Sequence, residues 1–224
     1  YQPERYTLIF HIRSNNTNYK LLLNCNANSA RIHLTDLDLE NPSSPPMFCM
    51  LLRKHLLGGT ITMVECADFE RIINLHIESS DELGDKSIKK VIVEIMGRHS
   101  NIILINHSGK IIDAIKHIDQ DINRVREIMP ARTYTLPPPQ DKMIPTLLNI
   151  DDLLMSIRNE PSPISKVLLN RIKGFSPLLC SEICYRAGIE PTLPAKSIEH
   201  DKFLVMAEVL KNLITSWNNK KYSP

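Results

Sequence analysis

Glu94-Ile95-Met96-Gly97-Arg98-His99-Ser100-Asn101-Ile102-Ile103-Leu104-Ile105 is the stretch that decides the fold. Leading into it, Val91, Val93 and Ile95 alternate with Ile92, Glu94 and Met96, the period-two pattern of a strand. Ile102 to Ile105 is a second, short β-branched run. Gly97 breaks the first strand, and Arg98, His99, Ser100 and Asn101 turn the chain. The pattern predicts a central hairpin of a β-sheet. Its tip would offer a guanidinium, an imidazole, a hydroxyl and an amide at one spot, a set suited to a phosphate or carboxylate. The alternative is a solvated loop tip without a ligand.

Toward the amino end, Tyr6 to Arg13 alternates cleanly, with Tyr6, Leu8, Phe10 and Ile12 on one face. Tyr19 to Cys25 and Ala30 to Thr35 read as two further strands, with polar turns at Ser14–Asn18 and Asn26–Ser29. Pro45-Pro46 opens a helix, Met47 to Leu57 is its body, and Gly58-Gly59 ends it. That helix is apolar most of the way round and is predicted to pack into the sheet. Arg53, Lys54 and His55 make its last turn cationic. Cations favour a helix carboxyl end for electrostatic reasons alone; the other reading is a contact with a phosphate backbone. Thr60 to Ala67 and Phe69 to Ser79 are strands, and Asp81 to Asp85 is the turn before Ile88 to Met96. His107-Ser108-Gly109-Lys110 turns into Ile111 to Ile118. Short strands in series with one inserted helix indicate a twisted β-sandwich or barrel-like sheet.

After Ile128 the texture changes. Seven of the 15 prolines fall between Pro130 and Pro163, which predicts a stiff, extended connector and a domain boundary near residue 145. Residues 1–145 are then the β-sandwich, and 146–224 a helical module. Its helices are expected over Pro163 to Ile172, Pro177 to Ala187 and Glu199 to Trp217, the last with a regular apolar stripe. Ile172-Lys173-Gly174-Phe175-Ser176-Pro177 joins the first two. Gly174 permits a sharp turn, Phe175 can plug between the helices, and Ser176 can cap the second helix with Pro177 at its first position. Exposed N–H groups at that helix start face a phosphate well in a helix-hairpin-helix. The plainer alternative is a capped helical hairpin.

Composition sets outer bounds. The 224 residues are 42% hydrophobic and 23% charged, an ordinary globular balance with net charge +2. The first 140 residues hold 16 Lys and Arg against 16 Asp and Glu, the remainder 11 against 9. Neither half binds nucleic acid by bulk charge, so any such contact must come from local clusters. Five cysteines without a tight pairing pattern suggest reduced thiols in a cytosolic, cytoplasmic protein. No run approaches the roughly 18 apolar residues of a membrane span, and no signal peptide is visible. The sequence opens on a strand at Tyr1 without Met, which reads as a trimmed start. Cys180 and Cys184 share a helix face but have no cluster of partner ligands at zinc spacing, so no metal or other cofactor is expected. No HExxH, P-loop or Rossmann fingerprint stands in the chain, and no Ser/His/Asp set can be picked out of its hydroxyls and carboxylates.

Four blocks in order resemble one family: Asn41-Pro42 through Gly59, Glu94 through Leu104, Tyr134 through Lys142, and Gly174 through Gly188. They are similar to the amino-terminal NFACT-N region of the NFACT family, formerly named after fibronectin-binding protein A, in its bacterial, RqcH-type branch. The family's coiled coil and carboxy-terminal domain are not covered. The resemblance implies an α+β fold: a β-sandwich similar to the amino-terminal domain of the formamidopyrimidine-DNA glycosylases, followed by a helix-hairpin-helix module. It implies a ribosome quality-control factor that binds rRNA and tRNA. Such a factor engages the large ribosomal subunit carrying stalled peptidyl-tRNA and recruits alanyl-tRNA for mRNA-independent alanine tailing.

In that family an Asp-Arg pair implicated in handling tRNA aligns with Glu70-Arg71, where the acid is one methylene longer. Strand parity places Arg71 with Phe69, Ile73, Leu75 and Ile77 on the core face, so a structural ion pair at the core's rim is the competing reading. The expected tRNA contacts are Glu70, Arg71, Arg98, His99, Ser100 and Asn101. The expected backbone contacts are Arg53, Lys54, His55, Lys173, Gly174, Phe175 and Ser176. The alternative function is a surface adhesin for fibronectin or fibrinogen, which free thiols and the lack of a visible export signal oppose. A glycosylase or nuclease would need an acidic or amino-terminal nucleophile.

Overall fold

Alternation becomes strands where the sequence carries it. The computed structural model describes residues 1–66, 69–80 and 84–221. In it, β1 (Thr7–Ser14), β2 (Thr17–Asn24) and β3 (Arg31–Leu34) form an antiparallel sheet in that order. The β1–β2 loop is Asn15-Asn16, with φ of 48° and 62°. Two left-handed residues in a two-residue loop match the twist of the flanking strands, and Asn tolerates that conformation. β4 (Thr60–Cys66), β5 (Ile72–Ser80), β6 (Lys86–Glu94), β7 (Asn101–Ile105) and β8 (Ile111–Ala114) make a second antiparallel sheet, again in chain order. The expected strand end at Ala67, and Asp81 to Leu83 of the expected turn, lie outside the described residues. The architecture is α+β with antiparallel sheets.

One core lies between the sheets. Leu8, Leu23 and Cys25 meet Leu75, Ile77, Val91, Val93, Ile102 and Leu104, with Phe48 and Leu52 of α1 (Met47–Leu56) among them. The apolar circumference of α1 does not mean burial all round. Phe48, Cys49 and Leu52 point inward, whereas Met47 is 79% and Met50 48% exposed. Where α1 gives way to β4 the backbones touch. A Cβ on Gly59 would stand 2.9 Å from the Glu78 carbonyl oxygen and from Ile77 Cγ2, so only glycine fits.

The other face of the five-stranded sheet is covered too. Ile72, Ile92, Ile103, Ile105, Ile111 and Ala114 pack against Ile128, with Ile118 and Tyr134 alongside. All five residues of β7 are therefore buried, which is why Ile102 to Ile105 shows no alternation. The cover is the strap of residues 115–138, joined to itself by a bridge between Ile118 and Ile128.

A buried ion pair fixes this strap. Arg126 donates Nη1 to Glu94 Oε2 at 3.0 Å and Nη2 to Oε1 at 2.5 Å, and Tyr134 donates its hydroxyl to Oε1 at 2.9 Å. The Glu94 and Arg126 side chains are 1% and 9% exposed. Burial and the Glu94 carboxylate push the Tyr134 phenol well above its ordinary range.

The chain divides into units Tyr1–Pro138 and Pro139–Pro224, within the run Pro137-Pro138-Pro139. The second holds α2 (Ile150–Ile157), α3 (Ile164–Arg171), α4 (Pro177–Arg186) and α5 (His200–Asn218) around a core that includes Leu153, Ile157, Leu168, Cys180, Ile183, Phe203 and Met206. The sequence reading missed α2. Its start signal was nonetheless present: Asn149 Oδ1 accepts from the N–H groups of Asp151 at 3.1 Å and Asp152 at 3.4 Å, ahead of Leu153 and Ile157. No helix among the described residues is long and apolar enough to cross a membrane.

Candidate nucleic-acid interface

Antiparallel order brings four strand ends together. β5 begins at Ile72 opposite Glu94, β6 ends there opposite Asn101, and β8 finishes at Ala114 opposite Ile103 of β7. At this end the Ile95 N–H donates to the Arg71 carbonyl at 2.8 Å. One turn of 3-10 helix, Gly97–His99, then carries the chain from β6 to β7. Arg71, Arg98 and His99 thus stand at the same edge of one sheet, and all three are exposed. Glu70 beside them is half-buried.

Arg71 lies one residue before β5, so strand parity does not govern it. Ile73, Leu75 and Ile77 face the core as expected, but Arg71 faces solvent and no carboxylate among the described residues pairs with it. Among the described residues the rim ion pair expected from parity is not formed. The turn into this position is strained: Phe69 has φ 52°, a left-handed value that a bulky residue rarely adopts. Arg98 Nε donates to His99 Nε2 at 2.9 Å, which makes that nitrogen the acceptor and places the ring proton on Nδ1.

Ser100 and Asn101 are corrections to the expected loop tip. Both are buried, at 0% and 1% exposure. The Ser100 hydroxyl accepts the Met96 N–H at 2.8 Å and closes the turn. Asn101 Nδ2 donates to the Lys116 carbonyl at 2.9 Å, while its Oδ1 accepts from the Ile102 N–H at 2.9 Å and the Lys116 N–H at 3.1 Å. The physical reason is the strap: with both faces of β7 covered, polar side chains at its start must satisfy buried backbone groups. The unalternated run Ile102 to Ile105 was the signal for that cover.

Arg53, Lys54 and His55 stand elsewhere. The Ser79 hydroxyl donates to the His55 carbonyl at 2.7 Å, tying the end of α1 to the far end of β5. The nine residues of β5 separate the two ends by about 26 Å at about 3.3 Å per residue. Arg53 and Lys54 are exposed and His55 is half-buried. Arg53 lines a groove of about 700 Å³ together with His11, Arg13 and Leu56. Arg53, Lys54 and His55 therefore do not extend the surface of Arg71, Arg98 and His99.

In the second unit the link Ile172 to Pro177 folds as its residues dictate. Gly174 takes φ 77°, Ser176 Oγ accepts the Leu179 N–H at 3.1 Å, and the half-buried Lys173 donates its N–H to the Met143 carbonyl at 2.9 Å. Phe175 is 7% exposed and meets the Trp217 ring edge-on at 6.0 Å, so its ring belongs to the core. Pro177 carries no N–H and Ser176 takes that of Leu179, which reduces the donors that this helix start can turn toward an anion. Cys180 and Cys184 are buried, and burial pushes both thiols up to about 11. Among the described residues no group of three His, Cys, Asp or Glu is placed to hold a metal ion.

A model of the NFACT N-terminal and middle domains matches residues 1–224. The chain belongs to the NFACT family. It is 42% identical to the Rqc2 homolog RqcH of Bacillus subtilis (strain 168) over 229 residues, covering 99% of this chain and 39% of that protein. The NFACT chain thus spans well under half the length of that relative. Among solved structures, the fibrinogen binding protein from Staphylococcus aureus superposes with a TM-score of 0.80 at 33% identity, over 96% of this chain and 73% of that one. The N-terminal part of the fibronectin/fibrinogen-binding protein from Streptococcus suis gives 0.77 at 32% identity, over 96% and 74%. A MutM (Fpg) protein from Thermus thermophilus gives 0.41 at 12% identity, over 74% and 63%.

Proposed function

We propose that this chain is the tRNA-holding part of a ribosome quality-control factor. The observation that carries the reading is the exposed trio Arg71, Arg98 and His99 at one sheet end, in a chain 42% identical to the Rqc2 homolog RqcH of Bacillus subtilis. Arginine offers a planar, permanently charged fork to phosphate oxygens, and local cations serve a nearly neutral chain better than bulk charge does. On this reading the full-length protein works in the cytoplasm. It binds the large ribosomal subunit carrying stalled peptidyl-tRNA and recruits alanyl-tRNA, and the ribosome extends the chain with alanine. This region makes and breaks no bonds itself; it holds tRNA by phosphates and shape. The capped turn Lys173 to Ser176 serves as a secondary backbone contact of the helix-hairpin-helix kind.

The test is co-sedimentation of the full-length protein with large subunits, followed by sequencing of the bound tRNA. Enrichment of alanine tRNA is expected, and recovery of no tRNA overturns the reading. A second reading, fibronectin or fibrinogen binding, is favoured only by the names of the two solved relatives. Saturable binding of the purified protein to immobilised fibronectin at physiological salt is the result that supports it.

A further inference from the structure

We propose that Lys116, held in place by Asn101, is a further phosphate contact of this interface. The inference rests on the tRNA-holding reading and adds to it a residue from the start of the strap. Asn101 follows the 3-10 turn that bears Arg98 and His99 by two residues, so whatever it holds stands at the same sheet end. It holds Lys116 by both backbone groups: Nδ2 to the carbonyl at 2.9 Å, and the Lys116 N–H to Oδ1 at 3.1 Å. A buried amide that grips one residue at both its N–H and its C=O fixes where that side chain starts.

From there the Lys116 side chain reaches across to the three-stranded sheet. Nζ donates to the Cys25 carbonyl at 2.6 Å and lies 4.7 Å from the centre of the Tyr6 ring. Arg5 lies over the same ring at 5.1 Å. An ammonium has three donors. One goes to Cys25 and one face of the charge meets the ring, and no carboxylate among the described residues neutralises it. Lys116 is half-buried and Arg5 is exposed, and a phosphate that approaches Lys116 would take a donor that Cys25 does not use.

The Cα-side of Gly97 approaches the Ala27 carbonyl, which a Cβ would meet at 3.9 Å, so the 3-10 turn and the β2–β3 turn are neighbours. Lys116 and Arg5 therefore stand at the same end of the sandwich as Arg71 and Arg98. The ligand that such a group of cations recognises is a nucleic-acid backbone.

The experiment reads counterion release. Affinity of the full-length protein for a tRNA transcript is measured across a range of KCl concentrations, for wild type, Lys116→Gln and Lys116→Arg. Loss of one phosphate contact lowers the slope of log affinity against log salt by about 0.7 to 0.9. Lys116→Gln is expected to show that drop and Lys116→Arg to retain the wild-type slope. A Lys116→Gln protein that melts lower but keeps the slope identifies Lys116 as a link between sheets only, and overturns the proposal. Amine labelling of the wild-type protein read by mass spectrometry gives a second test that needs no variant. Lys116 is expected to be protected by tRNA, and equal labelling with and without tRNA overturns the proposal. A wild-type protein with no salt-dependent tRNA binding would instead remove the underlying reading, a result distinguishable from either.

Discussion

Glu94 and Arg71 lie at adjoining strand ends, with Glu94 paired to Ile72, yet they answer to different physics. Arg71 is exposed and without an acidic partner among the described residues, so its removal should cost little stability. Arg71→Ala is expected to move the unfolding free energy by less than about 0.5 kcal/mol. On the proposed tRNA-holding role, the double replacement Glu70→Ala and Arg71→Ala in the full-length protein should abolish alanine tailing while large-subunit co-sedimentation persists. Glu94 is the opposite case. Removing Arg126 leaves a carboxylate of 1% exposure without its bidentate partner, and breaking such a pair costs about 3–5 kcal/mol. Arg126→Ala should therefore lower the urea midpoint of the first unit sharply, and an unchanged midpoint would contradict the strap lock.

Thiols at this scale give a pH dependence with a definite sign. Cys25, Cys180 and Cys184 are pushed by burial from about 9.0 to about 11. Between those values the unfolded chain has lost protons that the folded chain retains, so stability is full below about pH 9 and falls as pH rises toward 11. Urea midpoints at pH 8 and pH 10.5 should show the decline, and Cys25→Ala should flatten it for the first unit.

The elements show what a sequence makes legible and what it hides. The strands of both sheets and the helices α1, α3, α4 and α5 follow from alternation, caps and breakers that act within a few residues. Helix α2 was overlooked because it lies between Pro145 and Pro161, inside the proline-rich run read as an extended connector, although Asn149 caps it. The inward turn of Ser100 and Asn101 was hidden because it depends on residues 115–138 folding over β7. That contact joins positions far apart in the chain, and no local pattern reports it. Arg71 was misjudged for a local reason: strand parity was carried one residue past the true start of β5. The link between α3 and α4 carries its own test. Gly174 has φ 77°, which a β-branched residue adopts only at a cost of about 1–3 kcal/mol. Gly174→Val should lower the melting temperature of the second unit, and an unaltered melt would mean that the turn relaxes freely.

At the scale of the whole molecule, the residues of the first unit proposed to touch RNA gather where strands end, while the strand interiors are devoted to packing. The basic end belongs to the first unit, and the capped α3–α4 turn belongs to the second. Variants are therefore needed in each unit.

The double cover of β7 has one more consequence, for the rate at which its amide hydrogens are lost to deuterated solvent. All five of its residues are buried, with strands on both sides, the inter-sheet core on one face and the strap on the other. No small opening frees such an amide; it must wait for the unit to come apart. The amides of Ile102 to Leu104 should therefore be the last to exchange in the first unit, at a rate that tracks its global unfolding. Arg126→Ala should speed them by as much as it lowers stability, which makes this strand an internal gauge of how firmly the strap is closed.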